Sequence, residues 1–149
     1  MLMGGLRRTH TFADAGRDIP VQWGEFLAAM PLPGQVGEVT YGIVAGGDEQ
    51  AQTMEYMCAA EVASLDALPP GTGRMRVPAA HYAVFEHTGP ISQIASAWGN
   101  AHGWLGTEGW ESAHQPDFER YDERYDSASK SGTWEIWMAV KPTAERAAR

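Results

Sequence analysis

A chain of 149 residues is the size of one domain and long enough to bury a proper core. Its composition, 44% hydrophobic and only 20% charged, excludes a disordered chain. A net charge of -8, from 11 Lys and Arg against 19 Asp and Glu, argues against direct nucleic-acid contact, because that affinity rests on cations that neutralise phosphates.

The same imbalance raises the local concentration of cationic small molecules, within the range that salt allows. The single cysteine, Cys58, excludes an internal disulfide and a Cys-based metal framework, so the cytoplasm is the expected compartment. The start MLMGGLRRTHTF has no signal-peptide apolar run, and no stretch approaches the roughly 20 apolar residues of a membrane span, so no membrane partner is expected.

Residues 18–30, DIPVQWGEFLAAM, place Asp18 as an N-cap and Pro20 in the first turn, with Ile19, Trp23, Phe26, Leu27 and Met30 on one helical stripe. VGEVTYGIVAGG then reads as a strand closed by glycines. In TMEYMCAAEVASL, Met54, Tyr56, Cys58, Ala60 and Val62 alternate with Glu55 and Glu61, as in a half-buried strand.

After a Pro–Pro and GTG turn, HYAVFEH predicts another strand, and Thr88, Gly89 and Pro90 a helix start. Ile91, Ile94, Trp98, Ala101 and Leu105 recur at helical spacing, ending near Trp104. GWESAHQPDFERYDE is extended, TWEIWMAVKP is a final strand, and TAERAAR, residues 143–149, is a polar tail following a single domain over residues 1–142. With only MLMG ahead of GLRRTH, the edge at the first strand is expected to be short or covered by a partner chain.

This order points to an α+β fold with an antiparallel sheet, helices on one face, and a faint internal repeat: Ile19 and Trp23 share the spacing of Ile94 and Trp98. The other face must be solvated, packed in a homodimer, or curled around a ligand. Six Trp and five Tyr are more aromatic surface than two helices need, and suit a cavity wall. Tyr41, Tyr56 and Trp110 are strand aromatics that could stack on a cation, and Trp137, opposite in parity to Trp134, Ile136 and Met138, is a further wall candidate. Each is also an ordinary packing residue.

Trp23, Trp98 and Trp104 read as core or rim. The acidic run with Asp117, Glu119 and YDERYD reads as a solvated face, Glu119 being a second-choice pocket acid. His81, His87 and His114 lack metal-ligand spacing, and no nucleophile elbow, phosphate loop or dinucleotide fingerprint is present, so neither a metal nor a cofactor is expected.

VTYGIV, RVPAAHYAVFEHTGPISQIASAWGNAHGWL, GWESAHQPDFERY and WEIWMAVKP together resemble the GyrI-like small-molecule-binding family, which includes DNA gyrase inhibitor-like proteins and effector-binding domains of AraC-type and multidrug-sensing regulators. The resemblance implies two pseudo-symmetric β-α-β-β repeats forming a curved antiparallel sheet with a ligand cleft. It implies that Glu111, in Gly109-Trp110-Glu111, is the pocket carboxylate, with Ala113 on its face. Residues 1–17 are too short for a helix-turn-helix, so a standalone binding module is expected.

The resemblance leaves three functions open. The first is capture of an amphipathic, cationic small molecule, for sensing or sequestration. The second is a hydrolase of strained electrophiles with Glu111 as general base, which needs a raised pKa and a held water. The third is a protein-interaction inhibitor of a topoisomerase.

Overall fold

The computed structural model describes residues 1–148, which divide into two compact units, one over Met1–Pro78 and one from Ala79 onward. The first contains β1 (Leu2–Thr11), α1 (Ala15–Ala29), β2 (Gln35–Asp48), β3 (Thr53–Val62) and β4 (Gly73–Arg76). β3 is central, antiparallel to β1 and β2, and β4 extends the sheet beyond β1.

β1 corrects the expectation of a short first strand: GLRRTH lies inside it and forms most of its length. Its glycines and arginines hide the strand from propensity, yet Gly5 is required by it. A Cβ there would lie 1.8 Å from the Cys58 carbonyl oxygen.

α1 starts a turn earlier than expected, with Asp14 and not Asp18 as its N-cap, which puts Pro20 inside the helix instead of in its first turn. Its stripe is also rotated: Gln22 and Phe26 are buried, Ile19, Trp23 and Met30 pack partly against the core, and Leu27 is exposed. The rotation has a polar cause. Gln22 donates to the carbonyls of Leu6 at 2.8 Å and Tyr56 at 3.0 Å and meets His10 Nε2 at 2.6 Å through its own oxygen. Because the amide nitrogen is already donating, its oxygen accepts, and His10 donates from Nε2.

The predicted alternation of β3 holds on the α1 side, where Tyr56, Cys58, Ala60 and Val62 join Phe26 and Leu68 in one core. Met57 and Ala59 are fully buried as well, so β3 is a central strand covered on both faces and not a half-buried one.

The second unit contains β5 (His81–Pro90), a 3-10 turn (Ile91–Gln93), α2 (Ile94–Trp104), β6 (Trp110–Ser112), β7 (Asp117–Tyr121), β8 (Tyr125–Asp126), β9 (Ser131–Pro142) and α3 (Ala144–Ala147). β9 is central, with β5 along one edge, and β6, β7 and β8 also pair with it, all antiparallel. Each unit therefore runs strand, helix and then further strands, with its last long strand in the middle, and the fold is α+β.

The predicted polar tail includes a docked element. Thr143 Oγ1 caps α3 by accepting from Arg146 N at 3.2 Å, and Arg146 donates to the Glu108 carbonyl at 2.7 Å. Its guanidinium stands 4.6 Å from the Trp110 ring centroid, a cation–π contact. Gly109, at φ +82°, makes the turn into Trp110 and lies against Arg146, where a Cβ would come within 3.0 Å of the side chain. Among the described residues no helix is long and apolar enough to cross a membrane.

Candidate functional site

Strand parity sorts the second unit's side chains onto two faces. Ile136 pairs with Phe85 on β5 and Glu119 on β7, while Trp137 pairs with Val84 and Phe118. Phe85, Glu119, Trp134, Ile136 and Met138 thus share one face. Phe118, Arg120, Glu135 and Trp137 share the other.

α2 covers the first of these faces. Trp98 Nε1 donates to Glu119 Oε2 at 2.8 Å, and Trp104 stands edge-on to Phe85 at 5.5 Å. The helix approaches closely because Ala97 and Ala101 turn toward the sheet and are buried.

Glu119 is the buried carboxylate of this face, 5% exposed. The expectation of a solvated acidic run is corrected there: Glu119 lies under the helix, and Asp117, on the same parity, is half-buried. Besides Trp98, Tyr121 donates its hydroxyl to Glu119 Oε1 at 2.8 Å. Both of these donors are neutral groups. Tyr121 packs on Tyr125 at 4.9 Å, Tyr125 stands edge-on to Trp134 at 6.2 Å, and Trp98 stacks on His102 at 5.7 Å.

The titrations reflect this burial. Tyr125 has a raised pKa, first from burial and then from the charges of Glu119 and Asp126. Burial also raises Asp117 above the usual carboxylate range, opposed by the Ala139 amide, which donates to it at 2.8 Å, and by His102 and His114. The opposite case is Asp122, held low by its bonds to Arg124, in a network with Arg120 and Glu135.

Within the second unit the expected site residues do not converge. Glu111 on β6 pairs with Lys141, which puts it on the Trp137 face, with its side chain 50% exposed and Lys141 Nζ 3.9 Å from its carboxylate. Trp110, opposite Pro142, turns to the helix side instead. Ala113 contributes its amide to the Ala139 carbonyl at 3.0 Å. Trp137 stacks on Phe118 at 5.5 Å, stands edge-on to Tyr82 at 5.3 Å and donates to Glu135 at 3.1 Å.

In the first unit, Tyr41 pairs with Ala59 and Tyr56 with Val44, so the two tyrosines lie on opposite sheet faces. Both are buried, and the Tyr56 hydroxyl accepts from Trp23 Nε1 at 3.0 Å.

A hollow of about 420 Å³ lies at β5, lined by His81, Tyr82, Phe85, Trp104, Trp110 and Val140 among others. No carboxylate lines it, so it can hold an apolar ring but offers a cation no countercharge. Among the described residues no three His, Cys, Asp or Glu side chains are grouped to hold a metal ion.

The model of the GyrI-like small molecule binding domain matches residues 1–141. The chain belongs to that family. Over 89 residues it is 38% identical to the transcriptional regulator BrlR of Pseudomonas aeruginosa, a match covering 59% of this chain and 32% of that protein. Two solved structures share its fold. SAV2435, bound to tetraphenylphosphonium, has a TM-score of 0.73 at 22% identity, with 95% of this chain and 88% of that one covered. The integron cassette protein VCH_CASS2 of Vibrio cholerae has a TM-score of 0.70 at 20% identity, with 95% and 90% covered. As a GyrI-like domain, the protein is of a small-molecule-binding kind.

The signal that could have found Glu119 is local. In FERY, a glutamate two residues before a tyrosine shares the tyrosine's face, and a buried Tyr121 carries Glu119 inward with it.

Proposed function

We propose that this GyrI-like domain captures cationic, amphipathic aromatic molecules, with Glu119 as countercharge and Trp98, Tyr121 and Tyr125 as the surrounding aromatic surface. The observation that carries the reading is Glu119 itself, a carboxylate 5% exposed that accepts from Trp98 and Tyr121 among rings. A carboxylate removed from water costs several kcal/mol, which a protein recovers when a cation docks against it. Ring faces add about 1 to 2 kcal/mol toward a desolvated cation. The phosphonium bound by SAV2435, a relative in fold, is of this ligand class.

The reading moves the acid from Glu111 to Glu119. Glu111 is half in water beside Lys141, where attraction for a ligand is screened. The role of the domain is then sensing or sequestration of such cations.

Titration of tetraphenylphosphonium against wild type, Glu119→Gln and Glu111→Gln, followed by tryptophan fluorescence and thermal shift, tests the assignment. Glu119→Gln is expected to lose about 2 kcal/mol of affinity, roughly 30-fold, the cost of removing one partner of a buried charge pair. Glu111→Gln should bind as wild type. The reverse pattern would return the role to Glu111, and equal binding by all three would remove charge from the mechanism.

A further inference from the structure

The hollow at β5 lies where the face under α2 runs out. Trp104 is the last residue of α2, and the strand registers put His81 opposite Val140, Phe85 opposite Ile136 and Trp110 opposite Pro142, all of one parity. Tyr82, of the other parity, borders the hollow along the β5 edge. The wall rings have fixed partners. Phe85 stands edge-on to Trp104 at 5.5 Å, and Tyr82 packs on Phe118 and Trp137, each at 5.3 Å. Trp110 carries the Arg146 guanidinium 4.6 Å from its ring centroid, and the Glu108 carbonyl anchors that arginine at 2.7 Å. Fixed walls spare a ligand the cost of ordering them, and about 420 Å³ is room for a molecule of a few rings.

Charge decides what such a molecule is. No carboxylate lines the hollow, and the guanidinium already stands on its Trp110 wall, so a cation there finds a like charge and no countercharge. An anion fares no better, because Glu108 and Glu145 line the recess beside Gly109 together with Arg146, and the chain carries a net charge of -8. Burial raises the Tyr82 pKa, and the charge of Asp117 adds to it, so the hydroxyl on the wall stays neutral as well. We propose that this hollow is a second binding site, for an uncharged fused aromatic molecule of naphthalene or anthracene size, with Phe85, Trp104 and Trp110 as its ring contacts. The site does not depend on the cation reading above and uses none of its residues.

The test uses N-phenyl-1-naphthylamine, an uncharged probe whose emission rises in apolar surroundings, titrated into the full chain as wild type, Ala83→Phe and Trp110→Leu. Ala83 lines the hollow, so a phenyl ring there fills it and should abolish binding. Trp110→Leu should weaken the probe roughly tenfold, the worth of one aromatic contact with its area. In competition on wild type, 2-tert-butylnaphthalene should displace the probe, and N,N,N-trimethyl-2-naphthylammonium, the same shape with a positive charge, should do so roughly tenfold less well or worse. Intermolecular NOEs from the probe should reach the side chains of Trp104 and Trp110.

No rise in emission with wild type would overturn the proposal, and so would NOEs that fall on Trp23, Trp98 or Trp134 instead. Displacement by the ammonium as effective as by the hydrocarbon would overturn it too, since the hollow would then take cations. Should either variant fail to fold, the NOEs and the charge-matched pair on wild type decide between the same outcomes. The Glu119→Gln titration reads the cation site by itself, so either reading can fail while the other stands.

Discussion

The two units use one device with different chemistry at its end. In each, a tryptophan of the helix points its indole N–H down at a polar atom on the sheet: Trp23 at the Tyr56 hydroxyl, 3.0 Å away, and Trp98 at the Glu119 carboxylate, 2.8 Å away. The first unit sets beside that contact Gln22, which bonds His10 and two backbone carbonyls. The second puts a charge at the corresponding place. A scaffold needs only neutral pairing to tie helix to sheet, and the charge in the second unit is the group proposed above to meet the ligand.

The comparison can be broken most forcefully in the first unit. Gln22→Ala should cost about 3 kcal/mol by urea denaturation, because it strands His10 and strips two buried carbonyls of a donor. Phosphonium affinity should survive under conditions where the variant remains folded. Loss of binding in the folded variant would show that the first unit's polar cluster serves the ligand too.

A smaller effect sharpens the contrast between the tryptophans. Trp98→Phe removes a hydrogen bond to a charged group, worth about 1.5 to 3 kcal/mol, and Trp23→Phe one to a neutral hydroxyl, worth about 1 kcal/mol. Denaturation midpoints of the two variants should therefore differ in that order, and equal losses would mean that the Glu119 carboxylate is not charged in the folded protein.

The smallest effect concerns Asp117, whose folded-state pKa is raised, chiefly by burial. A raised carboxyl pKa penalises folding above that pKa, and the penalty disappears as pH falls below the unfolded value near 4. Asp117→Asn should thus stabilise the fold by less than about 1 kcal/mol at pH 7 and leave it unchanged at pH 3. A gain that persists at pH 3 would assign the effect to packing instead of charge.

Much of the fold was legible in residues. The helical spacing of Ile94, Trp98 and Ala101 and the alternation of Tyr56, Cys58 and Ala60 each match an element, because burial on one side imposes the element's own period on the sequence. β1 was legible only as a short strand: Gly4, Gly5, Arg7 and Arg8 conceal its length, and only the close passage of Cys58 explains Gly5. The docked tail was hidden for a related reason. Arg146 is an ordinary surface arginine until the chain brings Trp110 and the Glu108 carbonyl beside it.

The site shows where the two kinds of information part. By itself the sequence determined the family, the antiparallel α+β plan, the acidic bias and the alternation that separates Trp137 from Trp134. Period two divides a strand's side chains into two faces but does not say which face a helix will cover. That decision belonged to the tertiary structure, where α2 lies over Glu119 and leaves Glu111 in solvent beside Lys141. Two glutamates with the same side chain differ in their chemistry because the environment of a charge is made by its neighbours in space.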